Sequence, residues 1–414
     1  MTQLPTGWLY ESINSIVVGG MIADGDWVES KDQDSNGQVR LTQLADVGDG
    51  EFRSRSDRWM NDEQASRLNV NYLRPGDLLM ARMPDPLGRT CMVPENIGRA
   101  VTVVDVAIIR FTRKDVNPKF VMWLLNSPGI RQQIEMLASG TTRRRITRKN
   151  LGTIDLPMPP IDEQNKIVEL LEDNLSRLDA ALADVKQAKV KAAQFRRSLF
   201  QAAFTGNLGS GETSFLTELP EGWDTKRLDD IADIVMGQSP PGSSYNEHGE
   251  GQPFFQGKTE FGEVHPTVRK YTTAGTKFAK AGDILMSVRA PVGPTNIADI
   301  DCVIGRGLAA IRAKTIVSQD YLRWALKHLE LDIQSKGTGT TFGAITGEKL
   351  RGTLVALPPI DEQNKIVELL EDHLSRLDTS VSLADALEKQ SNGLRRSLLQ
   401  AAFTGQLTKE VANV

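Results

Sequence analysis

The sequence predicts an α+β protein in which two mixed, strand-rich domains are separated by two long helices packed as an antiparallel coiled coil, with overall pseudo-two-fold symmetry. Three observations predict this class. The segment PPIDEQNKIVELLED begins at Pro159 and recurs unchanged from Pro358. Over the fifty residues that start at these two prolines, 31 positions are identical without a gap. The blocks before the two repeats share only short motifs, so one unit has been duplicated and its intervening blocks have diverged.

Each repeat predicts one long helix. Paired prolines exclude helix before it, Asp162 and Asp361 are predicted N-caps, and Gly206 and Gly405 end it. Apolar residues then recur at steps of four and three, which places them on one stripe of the helix: Leu171, Leu175, Leu178, Leu182 and Val185 in the first copy, and Leu370, Leu374, Leu377, Val381 and Ala384 in the second. The stripe predicts a coiled-coil seam, and the alternative is a core helix in a bundle.

The two variable blocks echo one another. LPTGW at Leu4 matches LPEGW at Leu219, and the GDLLM run at Gly76 matches GDILM at Gly282. A third echo is the GTT run, which begins at residues 140 and 339. Branched residues predict strands over 101–113 and 302–311, and each block then predicts one helix, over 118–137 and 319–334. The whole half of the chain is therefore predicted to be duplicated.

Composition limits the class of protein. The net charge is −4, with 40% hydrophobic and 25% charged residues, which is typical of a soluble globular chain. The two cysteines argue against a disulfide framework, and no spacing of Cys or His suggests a metal site. The N-terminus lacks a secretion signal, and no apolar run is long enough to span a bilayer, so we expect a cytoplasmic protein and no membrane partner.

Catalytic motifs are missing from the sequence. It contains no phosphate-binding loop, no glycine-rich dinucleotide loop and no hydrolase or metalloprotease motif, so we predict no catalytic and no metal-binding residues. The segment from Asn117 to Phe120 resembles the active-site tetrad of amino-methyltransferases. Lys119 breaks that tetrad, and Asn-Pro is also common at a helix start, so we predict a structural role for it.

Nucleic-acid contact is predicted for GTTRRRITRKN, which starts at residue 140. Arginine suits forked hydrogen bonds with phosphate and guanine, whereas the alternative is a solvated charged loop. The sister segment keeps both threonines but has Phe, Gly and Ala in place of the three arginines, so the shared residues are expected to contact the DNA backbone and the exchanged positions to help read sequence. The predicted DNA-binding residues are Arg82, Arg89, Thr141, Thr142, Arg143, Arg144, Arg145, Arg148 and Lys149, with Gln238, Ser239, Lys258, Ser287, Arg289, Thr340, Thr341 and Phe342 in the second half.

Taken in order, these motifs resemble the specificity subunit of type I restriction–modification systems over nearly the whole chain. The resemblance rests on LPTGW/LPEGW, GDLLM/GDILM, the SPP turn at Ser239, and the PP-x-x-EQ-x-x-I signature from Pro159 and Pro358. It implies a target-recognition domain over residues 1–156, a spacer helix over 157–208, a second target-recognition domain over 209–355 and a second spacer helix over 356–414.

The resemblance also implies a function and partners. Each recognition domain would read one half of a bipartite site in double-stranded DNA, and the helices would set the gap and dock two copies of a methyltransferase (modification) subunit. This chain would bind no cofactor, S-adenosylmethionine would lie in those partners, and restriction/translocase subunits would complete the complex. The expected partner-binding residues are Glu163, Gln164, Arg196, Arg197, Glu362, Gln363, Arg395 and Arg396.

Two other functions are compatible with parts of the pattern. The first is a self-contained DNA methyltransferase or nuclease with cryptic motifs, which would need a cofactor loop that the sequence does not show. The second is a DNA-binding regulator that dimerises through its long helices. The internal duplication argues against the regulator, because one chain already contains both halves.

Overall fold

The computed structural model describes residues 4–84, 86–141, 143–206, 208, 219–337 and 343–407. The chain divides into two units. Unit 1 comprises Met1–Lys186 and Asp385–Val414, and unit 2 comprises Gln187–Ala384. Each unit holds one strand-rich domain together with a part of each of two long helices.

Domain 1 lies in unit 1 and is built from short strands and helices. Its strands are β1 (Leu9–Ser12), β2 (Met21–Asp24), β3 (Val39–Thr42), β4 (Trp59–Met60), β5 (Leu78–Ala81), β6 (Thr90–Met92), β7 (Ala100–Thr102), β8 (Val106–Arg110) and β9 (Asp155–Met158). Its helices are α1 (Ile13–Ile16), α2 (Asp62–Leu68), α3 (Pro118–Leu125), α4 (Pro128–Leu137) and α5 (Arg148–Gly152).

Domain 1 contains three small sheets. β1 pairs antiparallel with β9, a four-stranded sheet has the order β2-β8-β5-β6, and a three-stranded sheet has the order β4-β3-β7. β3 and β7 are parallel. The stretch 101–113, predicted to be strand-like, contains the two strands β7 and β8, which belong to different sheets. A turn between them, with Val106 N–H donating to the Val103 carbonyl at 2.9 Å, carries the chain from one sheet to the other.

The single helix predicted over 118–137 is wrong, because the chain forms α3 and α4. Ser127 is extended and precedes Pro128, and the residue before a proline is disfavoured in the helical region. The structural reading of the Asn-Pro segment is confirmed. The Asn117 side chain accepts hydrogen bonds from the Lys119 and Phe120 N–H groups and caps α3.

Helix α6 (Ile161–Thr205) follows domain 1 and leads to domain 2. The strands of domain 2 are β10 (Asp224–Arg227), β11 (Ala232–Met236), β12 (Tyr245–Asn246), β13 (Gln252–Phe255), β14 (Lys270–Thr272), β15 (Phe278–Ala279), β16 (Ile284–Ser287), β17 (Thr295–Ile297), β18 (Cys302–Ile304), β19 (Leu308–Ala313) and β20 (Leu354–Leu357). Its helices are α7 (Leu228–Ile231), α8 (Gln319–His328), α9 (Glu330–Ser335) and α10 (Gly347–Arg351), and α11 (Ile360–Phe403) comes after them.

Domain 2 repeats the topology of domain 1. β10 pairs with β20, one sheet has the order β11-β19-β16-β17, and a larger sheet has the order β12-β14-β13-β18-β15 with β13 and β18 parallel. The strand predicted over 302–311 again divides, into β18 and β19 on different sheets, and the helix predicted over 319–334 divides into α8 and α9. The sequence correctly predicted two related, strand-rich domains.

Within each unit, the two long helices run antiparallel, as predicted. In unit 1, α3 packs against the first part of α6. Trp123 Nε1 of α3 donates a hydrogen bond to Glu172 of α6 at 3.3 Å. The end of α11 reaches α3 through Phe403, whose ring lies 5.3 Å from that of Phe120. Arg395, earlier in α11, pairs at 2.6 Å with Asp179, which is later in α6. Moving along the helix pair, residue numbers increase in α6 and decrease in α11, so the two helices run in opposite directions.

Unit 2 repeats this geometry with the helix roles exchanged. Trp324 of α8 donates to Glu371 of α11 at 3.0 Å, and the Phe204 ring of α6 lies 5.4 Å from Tyr321 of α8. Arg196 then pairs with Asp378 at 3.1 Å. These pairs are exposed and contribute at most about 1 kcal/mol each, but they fix register.

The predicted seam is confirmed by burial. All ten apolar positions of the two stripes are buried or half-buried, whereas most of the positions between them are exposed. The predicted N-caps are wrong, because α6 and α11 begin at Ile161 and Ile360, which places Asp162 and Asp361 inside the first turn. A carboxylate there is still favourable near the positive end of the helix dipole. In the part of the chain that the structure describes, no helix is apolar over enough residues to cross a bilayer.

Candidate nucleic-acid interface

The basic loop of domain 1 is a closed turn. Ser139 and Arg145 exchange backbone hydrogen bonds of 3.0 and 2.8 Å, and Gly140 has a φ of +103°. Thr141, Arg143 and Arg144 are exposed, although the Arg144 guanidinium bonds back to the Glu135 carbonyl. The structure thus places this loop at the surface. Thr142 lies outside the described residues.

Arg145 differs from its two neighbours in the loop. Its guanidinium donates to the Val104 carbonyl at 2.7 Å and lies 3.6 Å from Asp105, so the side chain is tied to the turn between β7 and β8. Arg143 has no side-chain partner among the described residues. Of the three consecutive arginines, Arg143 is therefore the one that the fold leaves available for an external acceptor.

The shared Ile-Thr pair at the end of the loop has a structural role. Ile146 is fully buried, and Thr147 caps α5 by accepting a hydrogen bond from Asn150 N–H at 3.1 Å. In domain 2, Ile345 is buried and Thr346 caps α10 in the same way. The core and the helix start therefore give a structural reason for both residue types to recur.

Crevice 1, of about 480 Å³, is lined in part by Asn14, Asp24, Arg82, Arg148 and Lys149. Arg148 and Lys149 are exposed at the start of α5, where they face solvent. Their equivalents in domain 2 are Gly347 and Glu348, so this basic character belongs to domain 1 alone. The structure thus brings three of the predicted DNA-binding residues into one concave surface.

Two predicted DNA-binding arginines are in fact buried. Arg82 is 4% exposed, pairs with Asp24 and donates to the Ile146 carbonyl at 3.0 Å, and burial lowers the pKa of its guanidinium. Arg89 is 9% exposed and donates to the Leu44 carbonyl at 3.2 Å. Both side chains hold loops against the sheets. Because both side chains are buried against the protein, we withdraw them as contacts to DNA.

Crevice 2, of about 550 Å³, lies in domain 2 where the parallel strands β13 and β18 end. Its lining includes Lys258, Ser287 and Arg289, which the sequence predicted, together with Arg306. A cis peptide bond joins Ala290 and Pro291 in its wall.

The predicted polar residues around crevice 2 have separate roles. Ser287 is 2% exposed and donates to the Arg289 carbonyl at 2.9 Å. The Ser239 hydroxyl accepts from the Arg306 N–H at 3.2 Å, and the Gln238 side chain is exposed beside it. The two serines therefore bond to backbone groups of the two arginines. Thr340, Thr341 and Phe342 lie outside the described residues.

The residues predicted to bind a partner also fall into a buried group and an exposed group. Gln164 and Gln363 are 1% and 0% exposed, and the side-chain amide of each forms hydrogen bonds with backbone groups of its own unit. Gln363, for example, donates to the Ile316 and Pro358 carbonyls and accepts from Ser318 N–H at 2.8 Å. The structure therefore places both glutamines at the junction between domain and helix, where a partner cannot reach their side chains.

The charged residues of the helices are more accessible. Arg196 and Arg395 are half-exposed in the ion pairs described above, while Arg197 and Arg396 are exposed. Glu362 accepts from Trp223 Nε1 at 3.0 Å, which ties it to the LPEGW motif, and Glu163 is half-buried at the equivalent position. Among the residues predicted to bind a partner, Arg197 and Arg396 are therefore the ones whose side chains are exposed and outside the ion pairs described above.

Sequence reasoning missed the role of the aspartate in GDLLM and GDILM. Asp77 and Asp283 are 2% exposed, and each holds an arginine of the neighbouring strand through two hydrogen bonds. These run from Arg110 to Asp77 at 2.7 and 2.6 Å, and from Arg312 to Asp283 at the same distances. The sequence contained a signal for this role, because an acidic residue directly precedes an apolar strand in both copies.

Catalytic side chains are not indicated by the described residues. No group of His, Cys, Asp or Glu within them could hold a metal ion. Cys91 and Cys302 are buried, and burial raises the pKa of each thiol to about 12. A thiol of this kind stays protonated at neutral pH and is a poor nucleophile.

Comparison with known proteins agrees with this geometry. Residues 220–389 match the family described as the type I restriction modification DNA specificity domain. The chain is 26% identical to a Methanocaldococcus jannaschii protein described as a type I restriction enzyme MjaX specificity subunit, over 98% of this chain and 95% of that one. It is 25% identical to the type I restriction enzyme EcoBI specificity subunit of Escherichia coli, over 82% of this chain and 75% of that one.

Two solved structures are similar along their whole length. The HsdS subunit from Thermoanaerobacter tengcongensis has a TM-score of 0.68 and 28% identity, with 98% of both chains covered. A chain from a structure on complex assembly and conformational transition of the type I R-M system has a TM-score of 0.74 and 27% identity, with 98% of this chain and 100% of that chain covered. The chain is therefore similar over nearly its whole length to type I restriction–modification specificity subunits, and residues 220–389 match the DNA specificity domain of that class.

Proposed function

We propose that this chain is the sequence-specific DNA-recognition subunit of a type I restriction–modification complex and that each domain reads one half of a bipartite site in double-stranded DNA. The observation that carries the proposal is the contrast between repeated and divergent residues. The repeated motifs lie at the junctions between domain and helix. The exposed cations that line the two crevices, by contrast, are not repeated from one domain to the other.

The repeated motifs support a common scaffold. The ends of α6 and α11 carry the same QAAFTG segment, whose phenylalanines enter the domain cores. The glycine that ends each helix lies against the proline of an LPxGW motif, since an added Cβ would come within 2.0 Å of Pro220 at Gly206 and within 2.6 Å of Pro5 at Gly405. Each domain is therefore fixed to its pair of helices by the same contacts, whatever its surface residues are.

Two different readers on one scaffold make a bipartite site physically reasonable. Each half-site alone would bind weakly, and linking the two readers makes the second contact intramolecular, which raises affinity and specificity together. We further propose that the helices set the gap between the half-sites and that duplication gives two docking faces for two methyltransferase subunits.

The remaining partners follow from this role. The chain would be non-catalytic, the methyltransferase subunits would bind S-adenosylmethionine and modify adenine, and restriction/translocase subunits would join the full complex. Such a complex would act in the cytoplasm, where the DNA is. The lack of a catalytic arrangement in the described residues is compatible with this division of labour.

The test is a domain exchange. We expect methylome sequencing of a host that carries this protein and its partners to show one bipartite site. Replacing residues 1–150 by the matching block of another family member should then change one half-site and leave the other half-site and the gap unchanged. The matched control replaces 209–350, which should change only the other half. A change in both half-sites from either exchange would contradict independent reading.

A further inference from the structure

Crevice 2 contains three cations without partners. Lys258, Arg289 and Arg306 line it and are exposed, and none has an ion pair or a side-chain hydrogen bond among the described residues. Arg312 of the same domain, by contrast, is fully engaged with Asp283. No carboxylate stands among the residues that line the crevice. Three like charges that gather without a counter-charge cost free energy, unless an anion neutralises them.

The backbone that carries the two arginines is fixed. The Arg289 carbonyl accepts from the buried Ser287 hydroxyl, and its backbone pairs in a β-bridge with Ala344. The Arg306 N–H is held by Ser239, and Arg306 stands in the tight turn that joins β18 to β19. Because the backbone is already fixed at both positions, a ligand has to order only the two side chains when it binds.

Domain 1 shows that the fold does not require these charges. Leu78 pairs with Ile109 in the same register as Ile284 with Ile311, so the two sheets can be compared residue by residue. On this comparison Met83 stands at the position of Arg289 and Val104 at that of Arg306. Leu44 begins the short 3-10 turn that Lys258 begins in domain 2. The three cations are therefore specific to domain 2.

The shape of the crevice decides which part of a duplex fits it. Base edges lie recessed in a groove and are reached by an element that protrudes, such as a helix or a β-ribbon. Phosphates lie on the outer ridge of the duplex and fit a concave surface with several cations. Crevice 2 is concave, and each of its three cations can only donate hydrogen bonds, which suits the acceptor oxygens of phosphates.

We propose that crevice 2 binds the sugar–phosphate backbone of the DNA duplex through Lys258, Arg289 and Arg306, at a place on the fold where domain 1 makes no such contact. This inference rests on the proposed DNA-recognition function and adds to it the ligand group and the residues. It also assigns these three residues to affinity and to the positioning of the domain, and leaves the reading of bases to other side chains.

The test gives domain 2 the residues of domain 1. Lys258→Leu, Arg289→Met and Arg306→Val are made singly and together, and the specificity chain is assembled with its methyltransferase subunits. Binding is measured over a range of salt concentrations, on DNA with the methylated site and on unrelated DNA. We expect the triple variant to bind both DNAs more weakly by a similar factor, with a salt slope shallower by about one for each cation removed, and the methylated sequence to be unchanged.

A matched control is Lys280→Met, because Lys280 is an exposed cation at the opposite end of β16 from Arg289. It should alter neither the affinity nor the salt slope. A variant that relaxes one base of the second half-site would show base reading and overturn the proposal, as would unchanged binding by the triple variant. Should the wild-type complex methylate no bipartite site, the DNA-recognition function itself would fail, a result separate from either of these.

Discussion

The buried glutamine of the repeated signature gives the sharpest test of the fold. In Gln363→Leu, a side chain of similar volume removes three hydrogen bonds, to the Ile316 and Pro358 carbonyls and from the Ser318 N–H. A buried hydrogen bond contributes about 1 kcal/mol net, so we expect the loss of about 3 kcal/mol from the free energy of unfolding of unit 2. For a unit of this size, that corresponds to a melting temperature lower by roughly 6–12 °C.

The assay is thermal unfolding of the purified full chain, followed by tryptophan fluorescence and calorimetry. The matched control is Asn364→Leu, the next residue in α11, which is exposed. Its effect should stay within about 0.5 kcal/mol. Gln164→Leu should reproduce the effect in unit 1, because that glutamine bonds to the Asp115 and Pro159 carbonyls and accepts from Asn117 N–H.

One result would refute this reasoning. Suppose that Gln363→Leu has the melting temperature of the wild-type chain but fails to assemble with a methyltransferase subunit. The glutamine then acts at a partner surface. The hydrogen bonds of the buried side chain would then not explain its role, and the prediction from the sequence that Gln363 binds a partner would be correct.

Three further predictions concern charge, pH and length. Arg148→Gln with Lys149→Gln should weaken binding to all DNA sequences alike and lower the salt slope by about two, measured by salt titration, and a change of recognised base would contradict a backbone contact. His328 stacks on Phe204 at 5.1 Å and burial lowers its pKa from 6.5, so the unfolded chain takes up a proton that the fold excludes. The stability of unit 2 should therefore fall as pH drops below about 6.5, and melting scans of His328→Phe should lose this dependence. A heptad inserted in both helices, after Val185 and after Ala384, adds about 10 Å and should widen the gap by about three base pairs in a methylome, whereas altered half-sites would oppose a spacer role.

The long helices were predictable because their signal is local and repeated. The 4-3 stripe requires only the periodicity of a helix, and Gly206 ends α6 at the predicted residue with a φ of +80°. The helix starts were predicted two residues too late, because the N-cap positions are Pro160 and Pro359 and not Asp162 and Asp361. The error arose because Asp is a common N-cap, whereas here the Pro160 carbonyl accepts the first helical bonds from Glu163 and Gln164.

The strands were predicted less well, since their ends depend on which sheet they join. Residues 101–113 are continuous in β-propensity, yet the turn before Val106 sends the chain into a second sheet. In domain 2, Gly305 and Gly307 mark the same turn, and an added Cβ at Gly307 would come within 2.4 Å of the Gln256 carbonyl. The local sequence offered this hint, but only the packing of the two sheets explains it.

By itself the sequence determined the duplication, the two strand-rich domains, the long helices with their seam and the resemblance to type I specificity subunits, because each of these rests on a periodic or repeated pattern. The tertiary structure alone decided which polar residues face solvent. Gln164, Arg82 and Ser287 have the residue types of an interface but are buried, whereas Arg306 and Arg148 line open crevices. The exposure of a side chain depends on residues that are distant in sequence and close in space, and a local sequence pattern does not identify those residues.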